Sequence, residues 1–159
     1  MDLPGGRREV AAPRTWTWDD VHALPSSSYE GDIHCVTTWS KLGTSFTGVS
    51  LDALLDQVEV LPSATHVLAW SSSGYNHQPA PGGRHRRGRR GSCGSTRGAP
   101  LTAEHGGPVR MLVPHLYFWK STKWVAGLRL LDHDEPGFWE RNGYHDRGEP
   151  WAEQRYAGD

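Results

Sequence analysis

The chain has 159 residues, enough for one domain with one buried core. Its formal net charge is -1 and its mean hydropathy is -0.64, yet 8 Trp argue against disorder, since disordered segments are poor in aromatic residues. Two cysteines are too few for a disulfide framework, and no apolar run reaches the length of a membrane span. We therefore expect a reduced, cytoplasmic protein with no membrane segment.

One basic segment, residues 76–98, stands apart from an otherwise acidic chain. It contains six Arg and no acidic residue, and it lacks Leu, Ile, Val, Phe, Trp and Tyr. Because such a segment has no hydrophobic face to bury, we expect an atypical, solvated Arg/Gly-rich loop. A nucleic-acid-binding module of the RGG type is the alternative, but interleaved aromatic residues are missing and the rest of the chain is acidic, so we expect no nucleic-acid partner.

The hydrophobic pattern predicts short helices and several strands. Thr17 and Ser50 are placed to cap two helices, and Pro25 would end the first of them. Neither a βαβ rhythm nor a glycine-rich dinucleotide motif occurs, so we predict an α+β fold of mixed β-sheets with short helices. The predicted parts are an irregular lead-in over 1–13 and a domain over 14–159. Within the domain we predict helices over 18–24 and 51–58, a strand that runs into a loop over 32–39, and strands over 65–70, 109–114 and 124–131.

Cys35 lies where the first predicted strand runs into a loop. The simplest interpretation is a small buried hydrophobic residue, and a nucleophile or a metal ligand are the alternatives. A cysteine without a CxxC partner is a poor zinc signal, because structural zinc takes four ligands. A single thiolate does suit a soft metal whose other ligands come from an organic cofactor.

Two polar segments have the composition of an anion site. Residues 119–124 (WKSTKW) place two lysines and two hydroxyls in one turn, and residues 104–110 (EHGGPVR) combine a tight Gly-Gly-Pro turn with Arg110. Lysine, arginine and short hydroxyl donors are the groups that bind a phosphate. The alternatives are a solvated charged turn and a plain turn into a strand. The nine histidines are scattered, and we expect most of them to be structural or exposed.

Three segments, in this order, resemble the sulfite oxidase family of molybdopterin-dependent oxidoreductases. DIHCVTTWSKLGTSFTGVSLDALL is similar to the molybdenum-ligand segment of that family, and EHGGPVRMLVPHLYFWKSTKWVAGLRLLD to its pterin-binding stretch. DEPGFWERNGYHDRGEPWAEQRY resembles its C-terminal ending. The likeness is closest to the small bacterial sulfite-oxidase-like proteins, and it implies a sulfite oxidase-type molybdopterin-binding domain.

The resemblance also implies roles for the residues that match the family's motifs. Cys35 would be the catalytic thiolate that binds molybdenum, and Tyr117 would approach the substrate. The implied cofactor-binding residues are His34, Cys35, Ser72, His105, Arg110, Lys120, Ser121, Thr122 and Lys123.

The implied cofactor is the molybdenum–molybdopterin cofactor. The implied activity is two-electron oxygen-atom transfer on a small sulfur compound or another oxyanion, as in sulfite oxidases. No haem-binding motif is visible, so we expect electrons to pass to a separate electron-transfer protein. The dimerisation domain of the larger sulfite oxidases has no counterpart here, so we expect a monomer.

Residues 76–98 depart from the family pattern, in which a strand continues after Gly74-Tyr75. A GC-rich gene that is translated out of frame would encode the Arg, Gly, Pro, Ala, Ser and His found there. We therefore hypothesise two compensating frameshifts, which resequencing with transcript and peptide data tests. Cys93 and the six Arg would then have no evolved role, and a remnant without cofactor is a further alternative to an active enzyme.

Overall fold

A computed structural model describes residues 9–73 and 99–159 in full, and the backbone of 76–77 and 92–96. Within this part of the chain, two antiparallel sheets are joined by short helices. In chain order the elements are α1 (Trp18–His22), β1 (Ser26–His34), β2 (Ser40–Ser50), α2 (Leu51–Leu55), β3 (His66–Ser71), β4 (Asn76–His77), β5 (Ser92–Thr96), β6 (Met111–Leu112), β7 (Val125–Leu131) and α3 (Phe138–Arg141), with 3-10 turns at Ala103–His105, Phe118–Lys120 and Pro150–Ala152.

The larger sheet has the strand order β1-β2-β5-β6. Its main unit is the β1–β2 hairpin, in which Ser26 pairs with Val49 and His34 with Ser40. β5 pairs with the other edge of β2, and β6 pairs with β5, so the sheet joins the hairpin to the segment that follows Arg110. The hairpin and the short strand that directly follows Arg110 therefore belong to one sheet.

The smaller sheet has the order β4-β3-β7. Val67, Leu68 and Ala69 are consecutive in β3 and all buried, and successive side chains of a strand point to opposite faces. Both faces of β3 are therefore covered. Gly127 in β7 lies opposite Trp70, and a Cβ added there would stand 2.5 Å from the indole nitrogen, so the ring takes the place of a side chain.

The core consists of two clusters that α2 connects. Leu54 packs in the first cluster and Leu51 in the second, while the half-buried Leu128 of β7 contacts both. The start of α2 is fixed by Ser50, whose hydroxyl accepts the backbone N–H of Ala53 at 3.1 Å. The other buried members are Val49, Ala69, Met111, Val113 and Leu116 in the first cluster and Val67 and Leu130 in the second.

The element types predicted from sequence hold, but several boundaries differ. The prediction of a strand that runs into a loop over 32–39 is confirmed, because β1 ends at His34 and the chain then turns, with Thr38 at a φ of +70°. β1 begins earlier than predicted, at Ser26. The long strand β2 was not predicted, since its residues are mostly polar or glycine. α1 and α2 end at His22 and Leu55, earlier than expected, and β6 covers only two of the six residues predicted over 109–114.

Two segments expected to be irregular contain ordered backbone. In the lead-in, the N–H of Glu9 donates to the carbonyl of Leu130 at 3.2 Å, and Val10 forms a bridge with Val60. The prediction of a solvated loop over 76–98 is wrong for β4 and β5, because a strand ladder needs only backbone N–H and C=O groups. The six Arg and the side chain of Cys93 lie outside the described residues, and the frameshift hypothesis stays a prediction.

Replacing Leu68 by Ala should lower the free energy of unfolding by roughly 2–5 kcal/mol, since the side chain is 1% exposed and a cavity would remain. Leu42→Ala is the matched control, because that leucine is 72% exposed. We expect the control to shift the free energy of unfolding by no more than about 0.5 kcal/mol. Urea unfolding followed by circular dichroism measures both, and equal losses would contradict the described packing of β3.

Candidate functional site

Cys35 is the first residue of the loop that closes the β1–β2 hairpin. Its backbone N–H donates to the carbonyl of Trp39 at 2.9 Å, and its own carbonyl accepts the N–H of Thr38 at 3.2 Å. The sulfur lies 3.1 Å from the hydroxyl oxygen of Thr37. The thiol is free and half-buried, so it is not enclosed in the core as the simplest interpretation of a lone cysteine would require.

His34 precedes Cys35 and connects its loop with the C-terminal part of the chain. Its Nδ1 lies 2.7 Å from the Ser40 hydroxyl across the hairpin, and its ring contacts the indole of Trp151 edge-on, with centroids 5.0 Å apart. Trp151 and Trp39 are 80% and 55% exposed, so indole surface borders the Cys35 loop on the solvent side. This places His34 as a support of the loop.

Arg110 is a buried cation at the Gly-Gly-Pro turn. It is 9% exposed, and among the described residues no carboxylate lies within ion-pair distance of its guanidinium. Its Nη1 donates to the carbonyl of His105 at 3.1 Å, and its Cζ lies 4.0 Å from the centre of the Phe118 ring. Its buried Nε has no hydrogen-bond partner in the part of the chain that the structure describes, and burial lowers the pKa of the guanidinium to about 10. An anion would supply both the missing charge and the missing acceptor.

Ser121 and Thr122 attach the WKSTKW segment to the strand that follows Arg110. The hydroxyl of Ser121 accepts the N–H of Val113 at 3.0 Å, and the carbonyl of Thr122 accepts the N–H of Met111 at 2.9 Å. Both side chains are buried, and the Thr122 hydroxyl has no hydrogen-bond partner among the described residues. Thr122 and Arg110, two of the residues with a buried polar atom that lacks a partner among the described residues, therefore belong to adjacent segments.

Lys123 joins the same segment to the Gly-Gly-Pro turn. Its Nζ donates to the carbonyl of Glu104 at 2.8 Å, and the carbonyl of Gly106 accepts the N–H of Trp124 at 3.1 Å. Gly106 has a φ of +96°, and a Cβ there would stand 2.8 Å from the Cβ of Lys123, so glycine is required on both grounds. His105 is exposed, with Nδ1 2.8 Å from the hydroxyl of Thr102. The two polar segments predicted from sequence thus meet.

Lys120 differs from the prediction that it binds a cofactor. It is fully buried, and its Nζ forms an ion pair with Glu140 and a hydrogen bond with the carbonyl of Asp146. The ammonium is therefore directed at acceptors of the C-terminal segment. The sequence analysis did not identify Glu140. The signal that could have indicated it is an acidic residue within an aromatic stretch, which fits a buried ion pair.

Tyr117 and Ser72 are predicted site residues that lie outside the two polar segments. Tyr117 is buried, stacks on Trp119 with ring centroids 5.1 Å apart, and donates its N–H to the carbonyl of Gly148 at 2.8 Å. Burial raises the pKa of its phenol, which therefore keeps its proton at neutral pH. Ser72 is exposed and donates its N–H to the carbonyl of Trp124 at 3.1 Å, which brings the end of β3 to Lys123.

The oxidoreductase molybdopterin-binding domain model matches residues 5–139, most of the chain. The chain belongs to this family. It is 40% identical over 150 residues to the uncharacterised oxidoreductase YuiH of Bacillus subtilis (strain 168), covering 94% of this chain and 75% of YuiH. It is 26% identical to YedZ1 of Azospira oryzae, whose assignment as a protein-methionine-sulfoxide reductase subunit is provisional; that match covers 86% of this chain and 51% of YedZ1.

A solved structure confirms the fold. The sulfane dehydrogenase SoxCD from Paracoccus pantotrophus matches with a TM-score of 0.69 at 21% identity, over 86% of this chain and 39% of that chain. The predicted family, the sulfite oxidase-type fold and the assignment as a molybdopterin-dependent oxidoreductase are thus confirmed. The described residues contain no helix that is long and apolar enough to cross a membrane.

Removal of the charge should affect stability much less at Arg110 than at Lys120. Arg110→Met should change the free energy of unfolding of the cofactor-free chain by less than about 1 kcal/mol, since relief from charge burial offsets the lost ring and carbonyl contacts. Lys120→Met should lower it by roughly 3–5 kcal/mol, because the Glu140 carboxylate is left buried and unpaired. Urea unfolding measures both, and equal losses would show that Arg110 has a partner within the protein.

Proposed function

We propose that this chain binds the molybdenum–molybdopterin cofactor with Cys35 as the metal ligand and Arg110 as the main contact of the pterin phosphate. The observation that carries the proposal is the buried guanidinium of Arg110, for which the described residues offer the Nε no acceptor and place no carboxylate nearby. A buried charge without a partner is costly, so its presence indicates an anionic ligand. The orphaned hydroxyl of Thr122 on the adjacent segment fits the same ligand.

Other residues around Arg110 add donors suited to a phosphate-bearing pterin. Lys123 carries a second positive charge on the segment that holds Thr122, and Ser121 fixes that segment through Val113. The exposed ring of His105 lies on the turn whose carbonyl holds the Arg110 guanidinium. We assign the phosphate and pterin contacts to His105, Arg110, Ser121, Thr122 and Lys123, with Ser72 at the edge of this group.

Cys35 has the properties of a ligand to a soft metal. Its thiol is half-buried and held in a defined loop, and a single thiolate suits a metal whose other sulfur ligands come from an organic cofactor. When bound, the cofactor supplies the two-electron redox change and the oxygen-atom transfer. The protein contributes the thiolate, the orientation of the loop through His34, and the phosphate contacts.

The proposed substrate is a small sulfur compound or a related oxyanion. Two similar proteins support this class, since SoxCD is a sulfane dehydrogenase and YedZ1 is provisionally a protein-methionine-sulfoxide reductase subunit. We further propose a monomer that passes electrons to a separate electron-transfer protein, and a cytoplasmic location on the ground of the low cysteine content.

Expression in a host that makes the molybdenum cofactor tests the proposal. The parent chain should contain about one molybdenum per protein, and Cys35→Ser should lose most of it, because a hydroxyl is a harder and weaker ligand for this metal. Elemental analysis measures the metal, and fluorescence of the oxidised pterin measures the organic part. Cys93→Ser is the matched control and should keep the parental content.

A folded parent without molybdenum or pterin would overturn the proposal in favour of a remnant that lost its cofactor. Salt-dependent RNA binding that disappears on deletion of residues 76–98 would instead favour the nucleic-acid-binding module. Loss of molybdenum from both cysteine variants alike would contradict the assignment of Cys35 as the ligand.

Tyr117→Phe tests the proposed substrate-side role of the buried phenol. Since the raised pKa keeps this phenol protonated, it is a hydrogen-bond donor at neutral pH, and the variant loses only that donor. We expect an unchanged molybdenum content and a fall in kcat/KM of roughly 10- to 100-fold for whichever sulfur substrate the parent turns over. A kcat/KM equal to that of the parent would show that the phenol is structural.

A further inference from the structure

A buried ion pair links the cofactor-binding segment to the part of the chain beyond the family match. The Lys120 and Glu140 side chains are 0% and 1% exposed, and the lysine also donates to the carbonyl of Asp146. The family model ends at residue 139, so both acceptors lie outside it. Lys120 directly precedes Ser121 and Thr122, the residues that hold the site to β6.

Further contacts fasten the same two segments together. The N–H of Tyr117 donates to the carbonyl of Gly148, and Gly148 has a φ of +69°. A Cβ added at Gly148 would stand 2.6 Å from the indole of Trp119, so the backbone lies directly against that ring. Residues 137–149, here called the C-terminal clasp, therefore hold the segment 117–120 at three points.

We propose that the C-terminal clasp positions Ser121 and Thr122 through the Lys120–Glu140 pair, so that Lys120 is a positioning residue and not a phosphate contact. The consequence for cofactor retention rests on the proposed function, whereas the effect on the segment itself does not. In this proposal the ligand does not contact Glu140, Asp146 or Gly148. Their role is to fix where residues 121–123 present their donors.

A buried ion pair contributes more to a defined geometry than to stability. An apolar pair of the same volume usually stabilises a protein as well or better, because two charges must lose their water. An ion pair does restrict the geometry, since the lysine must meet one carboxylate and one carbonyl at once. Here Ser121 and Thr122 follow the lysine directly and bond to the backbone of Val113 and Met111, so a shift of Lys120 is transmitted within one or two residues.

Hydrogen exchange of the full-length, cofactor-free chain tests the positioning role. The N–H groups of Met111 and Val113 report on the segment, because their acceptors are the carbonyl of Thr122 and the hydroxyl of Ser121. The variants are Glu140→Gln, which keeps the shape, and the double variant Lys120→Met with Glu140→Leu, which replaces the ion pair by an apolar pair. The matched control is Glu135→Gln, which removes the charge from a different ion pair, with Arg129 on β7.

We expect exchange at Met111 and Val113 to accelerate about tenfold in both site variants, while the β3–β7 ladder changes by no more than about twofold. The control should leave both reporters at the parental rate. An equal acceleration of the reporters and the ladder would mean that the ion pair acts only on global stability, and it would overturn the proposal. Unchanged reporters would overturn it as well. Because the double variant removes both charges and leaves no buried charge unpaired, it decides the question even where Glu140→Gln does not fold.

A second measurement follows the cofactor in loaded protein. The rate of pterin release into an excess of scavenging apoprotein should rise roughly 10- to 100-fold in Glu140→Gln, the usual effect of losing a residue that orients a ligand contact. An unchanged release rate would contradict the positioning role. Absence of cofactor from the parent would instead refute the proposed function, and hydrogen exchange would still test the clasp.

Discussion

The site depends on how two buried cations are compensated. Lys120 is neutralised within the protein by Glu140, whereas the partners of Arg110 among the described residues are a carbonyl and an aromatic ring. A guanidinium cannot lose its proton at neutral pH even when burial lowers its pKa to about 10, so its charge persists. The proposed anionic ligand would compensate this charge. The surrounding turn, with Gly106 and the carbonyl of His105, fixes the guanidinium in place.

Sequence analysis selected candidate site residues from residue type and local order. It selected Arg110, Cys35 and the hydroxyl pair at Ser121 and Thr122, because the charge of an arginine, the softness of a thiolate and the family order of the segments can be read from the sequence; these roles stay predictions. The direction of a side chain is not visible there. Lys120 lies among hydrogen-bond donors that suit a phosphate, yet its partner Glu140 is 20 residues away in sequence. Only the packing of the C-terminal segment determines that the lysine faces inward.

The larger sheet contains two strands, β2 and β5, that the hydrophobic pattern did not predict. β2 is the central partner of β1 and β5, but its residues alternate weakly between apolar and polar, so the hydrophobic pattern did not reveal it. β5 has no large apolar residue and still pairs with β2 and β6 in register. Backbone hydrogen bonds between strands depend little on the type of side chain. The strand at 92–96 therefore neither supports nor contradicts the hypothesis that the gene contains two frameshifts in this region.

The C-terminal segment links the two ends of the site. Gly148 accepts the N–H of Tyr117, and Trp151, only three residues later, packs on His34 beside the Cys35 loop. The two contacts are close along the chain, because three residues span at most about 10 Å. We therefore expect the Cys35 loop and the segment with Ser121 and Thr122 to be coupled through the C-terminal segment. A change at Gly148 would then alter both the proposed metal end and the proposed phosphate end of the site, whereas a change at Arg110 would act on the phosphate end alone.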